Sequence, residues 1–169
     1  MIDIHAHYDD DAFNEDRDIL IPSLFKESGV SAIINAGCNI KTCEISISLA
    51  EKYENMFAVV GFHPCDSHYM TEDDFNTVKS MLKHKKVVGI GEVGLDYHWD
   101  VTHKDKQKEV FRRFLELAIE TDMPVVIHER DAVGDCIEII KDYDVKGVFH
   151  AFSGSKETAK ILLDRGWYI

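Results

Sequence analysis

The sequence predicts an α/β fold built around a parallel β-sheet, and three features carry that prediction. Short, almost wholly apolar runs recur along the chain, and most stretches between them repeat apolar residues at helical spacing. Buried parallel strands show such continuous runs because both faces of the sheet are covered. The runs begin about 28 residues apart on average, as expected for a strand followed by a crossover helix.

Strands are predicted to begin at seven positions. They lie near Ile2, Ser31, Phe57, Val87, Pro124, Gly147 and Trp167. The first six begin complete strand–helix units, and the last begins a seventh strand.

The first three helices are predicted from their ends and their periodicity. The helix over 17–28 stops before Gly29, since glycine is favoured just beyond a helix end. An amphipathic pattern predicts a second helix over 40–53. Thr71, with Asp74 three residues later, predicts the capped start of a helix that runs to about His84.

Three further helices follow. Thr102 is the predicted cap of a long helix that ends near Asp122, with an apolar face that includes Phe111 and Phe114. A shorter helix is predicted over 131–143. Ser155 is predicted to begin the last helix, which closes before Gly166. This pattern fits both a doubly wound sheet and a (β/α)8 barrel, although the first turn has no GxGxxG motif.

Composition limits the function classes. The 169 residues include 19 Lys and Arg against 31 Asp and Glu, a net charge of −12, which excludes a broad basic surface for nucleic acid. Phosphate chemistry here would need bound cations. No apolar run reaches a membrane span and no signal peptide is evident, so we expect one cytoplasmic domain over 1–169 with no membrane association. The four cysteines form no CxxC pair, which indicates a reduced protein.

Polar side chains recur where the predicted strands end. They are His5, His7, His63, Glu92, His128 and His150. The C-terminal ends of parallel strands meet at one end of a barrel, which is where barrel active sites lie. A His-x-His pair on a strand points two imidazoles to one face, so both can reach one metal, and a carboxylate from another strand can bridge two ions.

Each of these residues also has a structural interpretation when it is taken alone. A single His-x-His, a buried paired carboxylate or a satisfied core histidine is common, and His63 before Pro64 could simply shape a turn. Their occurrence at the same end of five strands favours a metal site. Cys65 is expected to be structural, and the 83–86 and 9–11 charge runs are expected to be solvated.

At these residues the sequence resembles the TatD family of metal-dependent deoxyribonucleases, which are amidohydrolase-like barrels. The matching segments follow the family's order along essentially the whole chain; they are IDIHAH (2–7), GFHP (61–64), GEVGLDY (91–97), PVVIHER (124–130) and VFHAFSG (148–154). The resemblance implies a TIM-type (β/α)8 barrel, of which this chain holds about six βα units and the start of strand seven.

The resemblance also implies roles for individual residues. His5 and His7 would bind one divalent metal, Glu92 would bridge two, and His128 and His150 would bind the second. The ions would be Zn, Mn or Mg. The implied activity is hydrolysis of DNA phosphodiester bonds, with Glu92 and His63 as catalytic residues. His63 would lie near the scissile phosphate, and Arg130 would support the His128 loop or the substrate.

The sequence departs from the family at its C-terminal end. The family's pattern continues with an Asp, in a Glu-Thr-Asp-type motif, that completes the first metal site and is its expected general base. We therefore expect a C-terminally incomplete barrel that either self-associates through open edges or is markedly less stable than a full-length version. Two alternatives stay open: a related barrel hydrolase that acts on an amide or lactone, and a metal-binding fragment with little activity. The first commonly uses a carboxylated lysine at strand four, where this chain has Glu92.

Overall fold

Parallel strands lie side by side in chain order in the computed structural model, which describes residues 1–99 and 101–169. The strands are β1 (Ile2–Ala6), β2 (Ala32–Ala36), β3 (Met56–Val60), β4 (Val87–Asp96), β5 (Val125–Arg130) and β6 (Gly147–Phe149). Every strand pairs in parallel with the next one in sequence. In a doubly wound sheet the strand order reverses direction part-way along the sheet. The sequential order seen here therefore indicates the barrel topology.

Helices alternate with the strands. They are α1 (Arg17–Glu27), α2 (Ile40–Lys52), α3 (Glu72–Met81), α4 (Lys104–Thr121), α5 (Val133–Ile140) and α6 (Lys156–Asp164). No helix within 1–99 or 101–169 combines the length and apolarity that a membrane span requires.

Most predicted helix ends are confirmed, because their caps are local. Thr71 and Asp74 form the predicted reciprocal capping box of α3, and Ser155 caps α6. Gly29 has a φ of +67°, a left-handed conformation that suits glycine just after α1.

Four predicted helix ends are wrong. The last turn before His84 uses bonds to the third preceding residue, so the α-helix itself stops at Met81. His103, not Thr102, precedes the first residue of α4. Asp131 has a left-handed φ of 55°, so α5 cannot begin there, and it begins at Val133 and ends at Ile140.

Two apolar layers follow from the alternation of side chains along the strands. Outward residues such as Ile33 pack under the helices, where Ile33 joins Ile21 of α1 in a buried cluster. Inward residues form a smaller cluster with Val59 and Val126 at its centre. This inner cluster borders an apolar cavity of about 410 Å³.

The edges of the sheet are β1 and, apart from one bridge, β6. The seventh predicted strand is represented by a parallel bridge between Tyr168 and Val148. Trp167 is buried against Phe149, with ring centroids 5.3 Å apart. Ile2 on the β1 edge is 60% exposed, so apolar surface lies beside unpaired backbone groups there.

Candidate metal centre

The polar residues identified from the sequence come together at the C-terminal end of the sheet. Most line one cavity of about 460 Å³, and His5 joins them through its contact with Glu92. The lining residues are His7, Cys38, His63, Asp66, Glu92, Asp96, Trp99, His128, Arg130 and His150. Two expected positions are wrong: Glu92 lies inside β4, which continues to Asp96, and His128 lies inside β5, which continues to Arg130, rather than at the strand ends. The pairing of β4 with β5 shifts register between Ile90 and Val93, next to Glu92.

Glu92 lies at the centre of this group. It is 3% exposed, and each carboxylate oxygen lies within 3.4 Å of two imidazole nitrogens. Oε1 is 2.6 Å from Nδ1 of His128 and 2.6 Å from Nε2 of His150. Oε2 is 3.3 Å from Nε2 of His5 and 3.4 Å from Nε2 of His7. Burial opposes ionisation, but these four contacts outweigh it and hold the pKa of Glu92 far below its ordinary range.

The donor set fits divalent cations. The Nε2 atoms of His5 and His7 are 3.0 Å apart, a separation that two nitrogen ligands of one ion also adopt at bond lengths of about 2.0–2.1 Å. Nδ1 of His5 is buried without a hydrogen-bond partner among the described residues, so only Nε2 of that ring faces polar atoms. Ligand atoms of His5, Glu92 and His150, and separately of His63, Glu92 and His128, lie within 4.8 Å of one another. Imidazoles with a carboxylate suit Zn or Mn better than Mg.

Neighbouring groups orient His5 of β1 and His7, the residue directly after that strand. Nδ1 of His7 lies 3.0 Å from the carbonyl oxygen of Ala36, so a proton on Nδ1 leaves the lone pair of Nε2 directed at the cluster. The His5 ring stacks on that of His150, with centroids 3.7 Å apart. Burial lowers the pKa of His5, whereas the hydrogen bond to Glu92 raises that of His7.

The loop after β1 corrects one expectation. Asp9, expected to be solvated, is 8% exposed and accepts a hydrogen bond of 2.7 Å from the side-chain amide of Asn35. The amide oxygen of Asn35 accepts the N–H of Tyr8 at 2.6 Å, and Arg17 donates to the carbonyls of Tyr8 and Asp10. These contacts fix the chain directly after His7.

His63 faces the same centre from the end of β3. Nε2 of His63 is 3.3 Å from Nδ1 of His128, and its Nδ1 accepts the backbone N–H of Cys65 at 3.2 Å. Burial and the neighbouring His128 lower the pKa of His63 to about 4. The ring is therefore neutral at pH 7, and its proton resides on Nε2, which points toward Glu92 at 3.7 Å.

Asp96 is a site residue that the sequence reasoning did not assign. Its side chain is almost wholly buried, and Oδ2 lies 2.9 Å from Nε2 of His128. A carboxylate at Nε2 holds a proton on that nitrogen and leaves the lone pair of Nδ1 available to a metal. The signal was present, because residues 92, 94 and 96 share one face of a strand.

Gln107 of α4 holds Asp96 in place. The side-chain amide of Gln107 accepts the backbone N–H of Asp96 and donates to its carbonyl, both at 2.9 Å. Gln107 is 2% exposed, so this pair of bonds is shielded from water.

Cys38 was also unassigned. Its sulfur lies 3.8 Å from Oε2 of Glu92. Burial, with the negative charges of Glu92 and Asp9, raises the pKa of the Cys38 thiol strongly. Cys38 is therefore a neutral thiol at pH 7 and not a thiolate nucleophile.

Comparison with known proteins agrees with this geometry. The family model described as "TatD related DNase" matches residues 2–169. The chain belongs to the TatD family. It is 38% identical over 172 residues to an uncharacterized metal-dependent hydrolase, YabD, of Bacillus subtilis, with 100% of this chain and 67% of that protein aligned.

Other TatD proteins align over a similar range. A 3′-5′ ssDNA/RNA exonuclease TatD of Citrobacter koseri is 30% identical, with 100% of this chain and 66% of the relative aligned. The crystal structure of YJJV, a TatD homolog from Escherichia coli, superposes with a TM-score of 0.89 at 29% identity, covering 99% of this chain and 66% of that one. The chain thus spans about two thirds of the length of these relatives.

Proposed function

We propose that this TatD family chain serves in metal-dependent hydrolysis of phosphodiester bonds in DNA. The observation that carries the proposal is Glu92, whose two carboxylate oxygens each lie within 3.4 Å of a separate pair of imidazole nitrogens. That arrangement suits two divalent ions with one bridging carboxylate. The name of the Citrobacter koseri relative, a 3′-5′ ssDNA/RNA exonuclease, supports a nucleic-acid substrate.

In this proposal, the ions are Zn, Mn or Mg. His5 and His7 hold one ion, His128 and His150 hold the other, and Glu92 binds both. When bound, such ions polarise a phosphoryl oxygen and lower the pKa of a bound water. They also offset negative charge, which matters because the net charge of the chain is −12.

The remaining polar groups act on the substrate directly. Neutral His63 presents the N–H of Nε2 to the cavity, where it can donate to a non-bridging oxygen of the scissile phosphate. Arg130 is exposed at the rim, where its guanidinium can pair with a neighbouring phosphate. Asp96 keeps a proton on Nε2 of His128 and so sets the direction of the Nδ1 lone pair.

A nuclease assay with added Mn²⁺ tests the proposal. We expect the protein to cleave a labelled oligodeoxynucleotide. EDTA should stop this cleavage, and His63→Gln should reduce its rate. Glu138→Gln, at an exposed residue of α5 whose carboxylate contacts Lys141 and does not line the cavity, is the matched control. Turnover of amide or lactone substrates without any cleavage of DNA would favour the related barrel hydrolase, and metal binding without any turnover would favour the inactive fragment.

Binding of nucleic acid is proposed to depend on metal rather than on basic surface. EDTA should then abolish retention of DNA by the protein. Retention that persists in EDTA and falls steeply with salt would contradict this and indicate a basic patch.

We also propose that the chain self-associates through its sheet edges. Ile2 and Ile4 of the β1 edge are 60% and 43% exposed, and Ile4 borders the inner apolar cavity. An apolar edge with unpaired backbone groups favours pairing with another strand.

The cytoplasmic location stays a prediction from the sequence.

A further inference from the structure

Trp99 lies on the rim of the cavity that contains the candidate metal centre, yet it is 71% exposed. The other tryptophan, Trp167, is 4% exposed. Leaving an indole ring in water forgoes a large apolar burial, so an exposed tryptophan beside a site points to a ligand that covers it.

Arg130 lies beside this ring. Its guanidinium carbon is 5.2 Å from the centroid of Trp99, and Arg130 pairs in register with Asp96 across β4 and β5. Within the part of the chain that the structure describes, no carboxylate forms an ion pair with Arg130. The rim therefore presents an aromatic ring and a positive, planar group side by side.

The backbone of Trp99 is tied to the metal centre. Its N–H donates to Oδ1 of Asp96 at 3.4 Å, while Oδ2 of the same carboxylate contacts His128 at 2.9 Å. One buried side chain thus sets the separation between the rim and the candidate metal ligand.

We propose that Trp99 and Arg130 bind an unpaired nucleobase and its phosphate next to the scissile bond. The inference rests on the proposed hydrolysis of phosphodiester bonds and adds the residues that would hold a single strand, the kind of substrate that the name of the Citrobacter koseri relative states. A ring on the rim can stack only on a base whose face is free, and bases inside a duplex are stacked on each other. Stacking also supplies attraction that an acidic protein cannot obtain from its net charge.

Tryptophan fluorescence tests the stacking directly. In Trp167→Phe, Trp99 is the only tryptophan, and a short single-stranded oligoadenylate should quench its emission. Trp99→Phe is the matched control, because the buried Trp167 that remains should show no quenching. An abasic oligonucleotide carries the same phosphates without bases, and a blunt duplex carries paired bases, so both should quench much less.

Binding affinity provides a second test of the proposal. Trp99→Ala should weaken binding of single-stranded oligonucleotides by about 10-fold or more, in the range of base–aromatic stacking. Arg130→Gln should weaken binding of the abasic and the natural strand alike. DNA and RNA strands are titrated in parallel: quenching by either supports the proposal, and quenching by neither overturns it.

Bis(p-nitrophenyl) phosphate, a diester without bases, separates the proposed hydrolysis of phosphodiester bonds from the proposed stacking of a base on Trp99. If the wild-type chain cleaves neither diester, the proposed function fails, and the fluorescence titration still decides the role of Trp99. If the wild type cleaves both, Trp99→Ala should lower the ratio of kcat/KM for the oligonucleotide to that for the base-free diester. An unchanged ratio, or equal quenching by the abasic strand, overturns the inference.

Discussion

Oδ2 of Asp96 lies 2.9 Å from Nε2 of His128; Asp96 is buried and His128 is half-buried. The opposite ring nitrogen of His128 faces Glu92 at 2.6 Å. The imidazole therefore connects a carboxylate on its outer side to the proposed metal centre on its inner side. Such a partner fixes both the tautomer and the orientation of a metal-binding histidine.

Replacing Asp96 by Asn should weaken metal binding by about 10- to 100-fold, as is typical for carboxylate partners of metal-binding histidines. The amide keeps the volume of the side chain but removes the charge that holds the proton on Nε2. Competition with a metal-binding dye measures the affinity. Asp164→Asn, at an exposed residue of α6, is the control. An affinity equal to that of the wild type would argue against a role for Asp96 in positioning His128.

Glu92→Gln should strongly reduce the metal content of protein purified without chelator. Glutamine fits the same space but is neutral, so the four surrounding imidazoles lose the charge that draws cations to the site. Elemental analysis measures the metal, and circular dichroism checks folding. Glu120→Gln, at an exposed residue that contacts Lys79, is the matched variant. Equal metal content in both variants would remove Glu92 from the metal centre.

Gly94→Ala should destabilise the fold by about 1–3 kcal/mol or more, since enlarging a tightly packed position forces the backbone to move. Gly94 has a φ of +143°, and an added Cβ would lie 2.0 Å from the carbonyl oxygen of His128. The variant should also bind metal more weakly, because β5 carries His128. Denaturant unfolding and metal titration provide the two measurements.

Gly134→Ala is the matched control for Gly94→Ala. Gly134 lies in α5, and an added Cβ would meet nothing within 4 Å. Alanine is favoured over glycine in a helix, so this variant should gain about 0.5–1 kcal/mol. A Gly94→Ala variant as stable as the wild type would show that the two strands can separate without cost.

Ile2→Lys should reduce self-association, because a charge on an exposed strand edge opposes pairing with another strand. Ile2 is 60% exposed on β1, whereas Ile19 of α1 is 76% exposed on a helix. Ile19→Lys adds the same charge away from the sheet edges and should leave association unchanged. Light scattering over a range of concentrations measures it. A wild-type chain that stays monomeric throughout would contradict the edge hypothesis.

Local sequence features determined the elements of this protein. Apolar runs placed the strands, and caps such as Thr71 and Ser155 placed helix starts, because hydrogen bonds between near neighbours decide these features. The His-x-His pair and Glu92 were recognisable for a similar reason: strand periodicity and chemical type suffice to mark donors that point to one face.

Only the tertiary structure decided how distant segments meet. The order of strands distinguished a barrel topology from a doubly wound sheet, which the same periodicity also fits. The burial of Asp9 depends on Asn35, which lies 26 residues away in sequence. The contact of Asp96 with His128 likewise joins residues that are 32 positions apart. Periodicity reports on neighbours along one element, whereas burial and pairing of polar groups depend on which elements pack together, and that is fixed only when the whole sheet forms.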